Sequence, residues 1–198
     1  EMCIRDSLGE VSINKRLLEF LTENEIIVHF FNYYGYYVGS YYPREHLNSG
    51  YMILKQAEHY LDEAKRLVLA RRFVEGAVEN IKKVLAYYSN RGKDLAEFLE
   101  KVNSISLSLS ACEDTEQLMA IEGNIREQYY YAWDRILDNE HFVFEGRTRR
   151  PPKNRLNALI SFANSILYTV CLSEIYHTHL DPRIGFLHAT NFRRFSLN

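Results

Sequence analysis

From about Tyr51 the apolar residues recur at three- and four-residue spacing, the period of a helix with one buried face. Ile53/Leu54, Ala57, Leu61, Ala64 and Leu67/Val68 predict a first helix with those positions inward. Val74, Ala77, Ile81 and Leu85 predict a second, from about Phe73 to Tyr88, ended by Asn90-Arg91-Gly92. Asp94 to about Leu109 reads as a weaker helix. Asp114, with Gln117 completing a capping-box-like pair, opens another, whose apolar face is Leu118, Ile121, Ile125, Tyr129, Ala132 and Ile136. Pro151-Pro152 stops any helix arriving from upstream. A last helix, Asn154 to Ile175, is apolar or small on nearly every side and is expected to be buried.

The first 43 residues have a different rhythm. Leu8 to Ile13 reads as a short strand, and Asn14 as the cap of a helix to about Thr22 with Leu17, Leu18 and Leu21 on one face. Ile26 to Phe31 and Tyr36 to Tyr42 read as strands joined by Asn32-Tyr33-Tyr34-Gly35. An isolated hairpin is marginal in water, so this is too little sheet to stand alone. The predicted fold is mainly α: a small N-terminal strand–helix–hairpin unit (1–43), a linker (44–50) around Pro43 and Asn48-Ser49-Gly50, and an α-helical bundle (51–198). Residues 1–7 match no expected structure and are set aside.

The last helix carries one polar arc. Asn157, Ser161, Asn164 and Tyr168 fall within about 60° on the helical wheel. Buried amides and hydroxyls need partners, so the arc is either an internal hydrogen-bond network or the wall of a site. Basic residues bracket the helix: Arg147, Arg149, Arg150, Lys153 and Arg155 before it, Arg193 and Arg194 after it. Such clusters suit a phosphate backbone, or are a solvated loop. The same choice attends the hairpin tyrosines, which serve stacking on bases or simply make strand and interface.

Composition narrows the classes. The chain has 198 residues, Lys+Arg 24 against Asp+Glu 26 and a net charge of −2, which argues against a generic nucleic-acid coat and leaves DNA binding to local patches. Cys3, Cys112 and Cys171 have neither zinc nor disulfide spacing, which fits a reduced, cytoplasmic setting. No membrane span and no signal peptide are expected.

Two runs together resemble a known family. Arg150 to Tyr168, R-x-P-x-N-R-L-N-A-L-I-S-F-x-N-S-I-L-Y, and Leu180 to His188, L-D-P-x-I-G-F-L-H, are similar in order and spacing to the CRISPR-associated adaptation endonuclease, the integrase that inserts new spacers. The run HFFNYYGYYVGSYYPRE, from His29, resembles its subtype I-B branch. The resemblance implies an acidic metal ligand at Glu122, within E-G-x-x-x-x-x-Y-Y, and a second ligand at His188. On the residues alone, Glu122 is an ordinary ion-pair partner for Arg126 at i+4. His177 and His179, near a helix end, are poor ligand candidates.

A carboxylate and an imidazole suit Mg²⁺ or Mn²⁺. The reaction implied is in-line transfer, a DNA 3′-hydroxyl attacking a repeat phosphate. The implied partners are DNA (prespacer and repeat), a second copy of the chain, and a small ferredoxin-like adaptation protein. The contacts implied for DNA are Arg149, Arg150, Lys153, Arg155, Asn157, Ser161, Arg193 and Arg194. The family's third ligand is an aspartate in a run that would follow Asn198, so the chain is expected to be truncated at both ends and weak or inactive. The alternative is a non-catalytic α-helical scaffold for DNA binding or dimerisation. Glu122 and His188 lying close together in a cleft favours the first; their pointing apart favours the second.

Overall fold

A computed structural model describes residues 11–43, 47, 49–149, 151–189 and 195–197. The chain divides into two compact units, 1–46 and 47–198. The fold is mainly α, with one two-stranded antiparallel sheet among the described residues.

In the first unit, Asn14 accepts a hydrogen bond from the Leu17 amide and starts helix α1, Lys15–Glu23. Strands β1 (Val28–Phe31) and β2 (Tyr37–Tyr41) pair antiparallel, with an irregularity between Phe30 and Phe31. The connecting turn is held by Asn32, whose Oδ1 accepts from the Tyr34 and Tyr36 amides. Gly35 supplies its positive φ of 74°. The Thr22 and Tyr41 hydroxyls share a 2.5 Å hydrogen bond that ties α1 to the sheet. Of the strand expected at Leu8–Ile13, residues 8–10 lie outside the described residues and Val11–Ile13 are irregular.

The second unit is built from α2 (Gly50–Leu61), α3 (Glu63–Ser89), α4 (Ala96–Ser106) with a following 3₁₀ turn (Leu107–Ala111), α5 (Thr115–Leu137) and α6 (Arg155–Tyr176). The core lies between α3, α4 and α5. Ala70, Val74, Val78 and Leu85 meet Leu95, Val102, Leu118, Ile125 and Ala132, all at 2% exposure or less. A smaller cluster of Phe144, Leu156 and Ile160, with Tyr130, Trp133 and Phe142 against it, seats α6 beside α5. The Asp114 carboxylate accepts from the Gln117 amide at 2.8 Å, and the Gln117 side chain reaches back to accept from the amide of Glu113, one residue before the cap, at 3.0 Å, a capping-box-like pair shifted by one residue.

Four expectations are corrected. The break between the first two helices of the bundle falls at Asp62, not near residues 69–72: Asp62 accepts from the Lys65 amide at 3.0 Å and caps a continuous α3. The face of α2 is also different. Leu54 and Leu61 are 72% and 79% exposed, whereas Gln56 is 4% exposed. Finally, α6 is not buried on all sides. Leu156, Asn157, Ile160, Thr169 and Leu172 are buried, but Leu159, Phe162, Ile166, Leu167 and Val170 are exposed. From Leu156 to Ser173 the helix carries no charged residue, so by length and composition it is long enough to cross a membrane, contrary to the expectation that no run would be. Its polar arc, bonded to an arginine from the preceding loop, is the feature that sets it apart from a lipid-facing helix.

Candidate metal and phosphate site

Glu122 projects from α5 between Ile121, which packs on the main core, and Gly123. Its side chain is 18% exposed and forms an ion pair with Arg126 one turn on. The bland partner foreseen for Glu122 is thus present. His188 is exposed, but it follows Leu187, which packs on the same core cluster as Ile121. Two motifs distant in sequence are therefore anchored on one core. Among the described residues, no group of three or more His, Cys, Asp or Glu is placed to hold a metal ion.

The segment before His188 is closely held. The Arg183 guanidinium clamps the Asp181 carboxylate through Nε (2.9 Å) and Nη2 (2.5 Å), and the Arg183 amide donates to Asp181 Oδ1 at 2.9 Å. These bonds hold the Asp181 carboxyl below the ordinary aspartate value, against the opposing effect of burial. The Ser196 hydroxyl accepts from the Gly185 amide (2.9 Å) and donates to the Arg183 carbonyl (2.6 Å). A Cβ on Gly185 would collide with the Ser196 carbonyl, so glycine is required by this crossing.

The polar arc of α6 divides along its length. Asn157 is fully buried: its Oδ1 accepts from Arg147 Nη1 (2.9 Å) and the Thr148 amide (3.0 Å), while its Nδ2 donates to the Gly146 carbonyl (2.9 Å). Ser161 accepts from Arg147 Nη2 at 3.0 Å. Both residues are thus partners of Arg147. Asn157, with no exposed surface, offers nothing for direct contact. Burial lowers the Arg147 guanidinium from its ordinary value, with Tyr130 acting in the opposite direction. Arg147 is thus a structural cation rather than a free one, which a basic run in sequence does not disclose. Asn164 instead lines a half-open cleft of about 250 Å³ between α5 and α6, with Arg126, Tyr130, Trp133 and Ile160.

Arg149, Lys153 and Arg155 are exposed around the start of α6. Arg150, Arg193 and Arg194 lie outside the described residues. His177 closes α6 as its C-cap, and His179 Nδ1 lies 2.6 Å from the Leu47 carbonyl. Cys112 is buried and Cys171 half-buried; both are free thiols.

Comparison with known proteins converges on one family. The family model described as CRISPR associated protein Cas1 matches residues 7–198. The CRISPR-associated endonuclease Cas1 2 of Thermodesulfovibrio yellowstonii is 75% identical over 96% of this chain and 58% of its own length. The CRISPR-associated endonuclease Cas1 of Thermotoga maritima is 54% identical, over 96% of this chain and 57% of its own length. A solved CAS1 protein from Thermotoga maritima superposes with a TM-score of 0.82 at 52% identity, covering 96% of this chain and 59% of that one. A casposase bound to its integration product has a TM-score of 0.74 at 21% identity, a likeness of fold alone. The chain spans a little under three-fifths of the length of these Cas1 relatives. The chain belongs to the Cas1 family.

Proposed function

We propose, from membership of the Cas1 family, that the parent protein is a metal-dependent DNA endonuclease and integrase of CRISPR spacer acquisition, and that Glu122 and His188 are two of its metal ligands. The observation that carries this reading is that Ile121 and Leu187, their sequence neighbours, pack on one core cluster. In kind the donors fit Mg²⁺ or Mn²⁺, a carboxylate oxygen and an imidazole nitrogen. In number they do not complete a shell among the described residues. A divalent cation bound there would polarise a phosphoryl group and stabilise charge on the oxygens of an in-line displacement. Arg126 neutralises Glu122 until a cation replaces it. Arg149, Lys153 and Arg155 meet backbone phosphates of prespacer or repeat DNA, a contact that positions without reading sequence. The proposed partners are DNA, a second copy of the chain and the small ferredoxin-like adaptation protein; the proposed setting is the cytoplasm.

With two protein ligands among the described residues, weak metal binding and weak or no strand transfer are the outcome this proposal expects of the 198-residue chain. The test is Mn²⁺ binding, followed by paramagnetic resonance, beside strand transfer on branched DNA. We expect weak binding that is lost in Glu122→Ala and in His188→Ala. Unchanged binding in either variant overturns the ligand assignment; full transfer by this chain at micromolar Mn²⁺ overturns its inactivity. The Glu122–Arg126 pair favours a second reading, a non-catalytic DNA-binding or dimerisation scaffold. That reading predicts salt-dependent DNA binding with no response to Mn²⁺.

A further inference from the structure

Gln56 is the least expected of the buried residues. It lies on α2 among apolar neighbours that face solvent, yet is itself 4% exposed. Its amide is spent on one backbone segment. Nε2 donates to the Asp181 carbonyl (3.2 Å) and the Ile184 carbonyl (3.4 Å), while Oε1 accepts from the Asp181 amide (2.7 Å). A carboxamide that donates to and accepts from one residue's backbone copies a strand partner, and no apolar side chain can replace it. One turn into α3, Arg66 Nε donates to the Phe186 carbonyl at 2.8 Å, with its guanidinium carbon 4.5 Å from the Tyr60 ring centroid. Two neighbouring helices thus grip the backbone at residues 181, 184 and 186, just before His188.

We infer that Gln56 and Arg66 are positioning residues for His188: they fix the backbone of the 181–187 segment before any ligand arrives. The inference rests on the reading of His188 as a ligand, and extends it to the far side of the bundle. Residues 181–189 are neither helix nor strand, so no regular ladder holds this segment; beyond the bonds that Arg183 and Ser196 make to it, its place on the bundle depends on the helices it crosses. The Gln56 amide and the Arg66 guanidinium are the bonds that tie it to α2 and α3.

The test uses the full 198-residue chain with Gln56→Leu, Gln56→Glu, Arg66→Lys and His188→Ala, and three measurements: Mn²⁺ affinity, metal-free amide exchange, and the thermal midpoint. Gln56→Leu removes all three Gln56 bonds to the segment, and exchange at the Asp181 amide should rise roughly 5- to 100-fold, as for loss of a buried hydrogen bond. Mn²⁺ affinity should fall along with it. Gln56→Glu keeps the acceptor for the Asp181 amide and loses both donations, so it should fall between wild type and Gln56→Leu. His188→Ala should weaken Mn²⁺ binding and leave Asp181 exchange unchanged. If His188→Ala weakens binding but Gln56→Leu does not, the positioning role is wrong. If His188→Ala leaves binding unchanged, the ligand reading fails, and the exchange at Asp181 alone decides whether Gln56 holds the segment. Should Gln56→Leu fail to fold, Arg66→Lys, which keeps the charge and loses the fixed guanidinium fork, carries the same comparison at residues 186–188.

Discussion

Arg183 keeps the Asp181 carboxyl ionised, and burial of that group opposes it; the arginine prevails and the folded pKa lies below the ordinary aspartate value. A lowered folded value means that the unfolded chain takes up the proton first as pH falls. The contribution to stability is whole above the unfolded value of about 4 and is lost as pH drops through the folded one. The Arg183 amide, bonded to Asp181 Oδ1, should therefore lose exchange protection in acid below about pH 4. Asp181→Asn retains an acceptor without a titrating group, so its Arg183 protection should not change over that range; an unaltered acid response in this variant would assign the effect elsewhere. Residues of this kind were the least legible. Asp181 lay inside a recognised motif, but its partner came from its own loop, and Gln56 lay in a pattern that pointed the wrong face inward. Periodicity registers which positions are apolar. It does not register a backbone segment that needs an amide.

At the scale of elements, caps were read more surely than faces. Asn14 and Asp114, both read as caps, each accept from an amide three residues on and open a helix; Asn154, read only as the start of one, does the same. Such bonds depend only on neighbours in sequence. Asp62 follows the same rule yet escaped notice, because the apolar spacing runs through it without a break and Ala70-Arg71-Arg72 looks like an interruption. In the structure Ala70 is fully buried and Arg71 donates to the Cys112 carbonyl at 2.8 Å, so the helix continues for a tertiary reason. Asp62→Ala removes the bond to the Lys65 amide and should cost about 0.5–2 kcal/mol in chemical denaturation. Asp62→Asn, which keeps a capping oxygen, should recover most of it. Equal losses in the two variants would assign the effect to the ion pair with Lys65 rather than to the cap.

At the scale of the molecule, the family was legible because its two signature runs are long and ordered, whereas what covers each helix was not. A uniformly apolar helix was read as a buried one, but the apolar effect is satisfied by any apolar partner, and sequence does not say which. Here the three-helix core is complete without α6, whose Leu159, Phe162, Ile166 and Val170 recur at three- and four-residue spacing on its outer side, each more than 40% exposed. A contiguous apolar stripe of that length on a separate molecule is an association surface. The 198-residue chain should therefore form species larger than a dimer as concentration rises in sedimentation velocity. The double substitution Phe162→Glu with Ile166→Lys should suppress them. Because neither side chain is buried, the unfolding free energy should stay within about 0.5 kcal/mol of the parent's. The hairpin is the control: Tyr34, 77% exposed in the other unit, changed to serine should leave the large species intact. If Tyr34→Ser removes them and the α6 pair does not, association runs through the hairpin, and the outer face of α6 is inert in water.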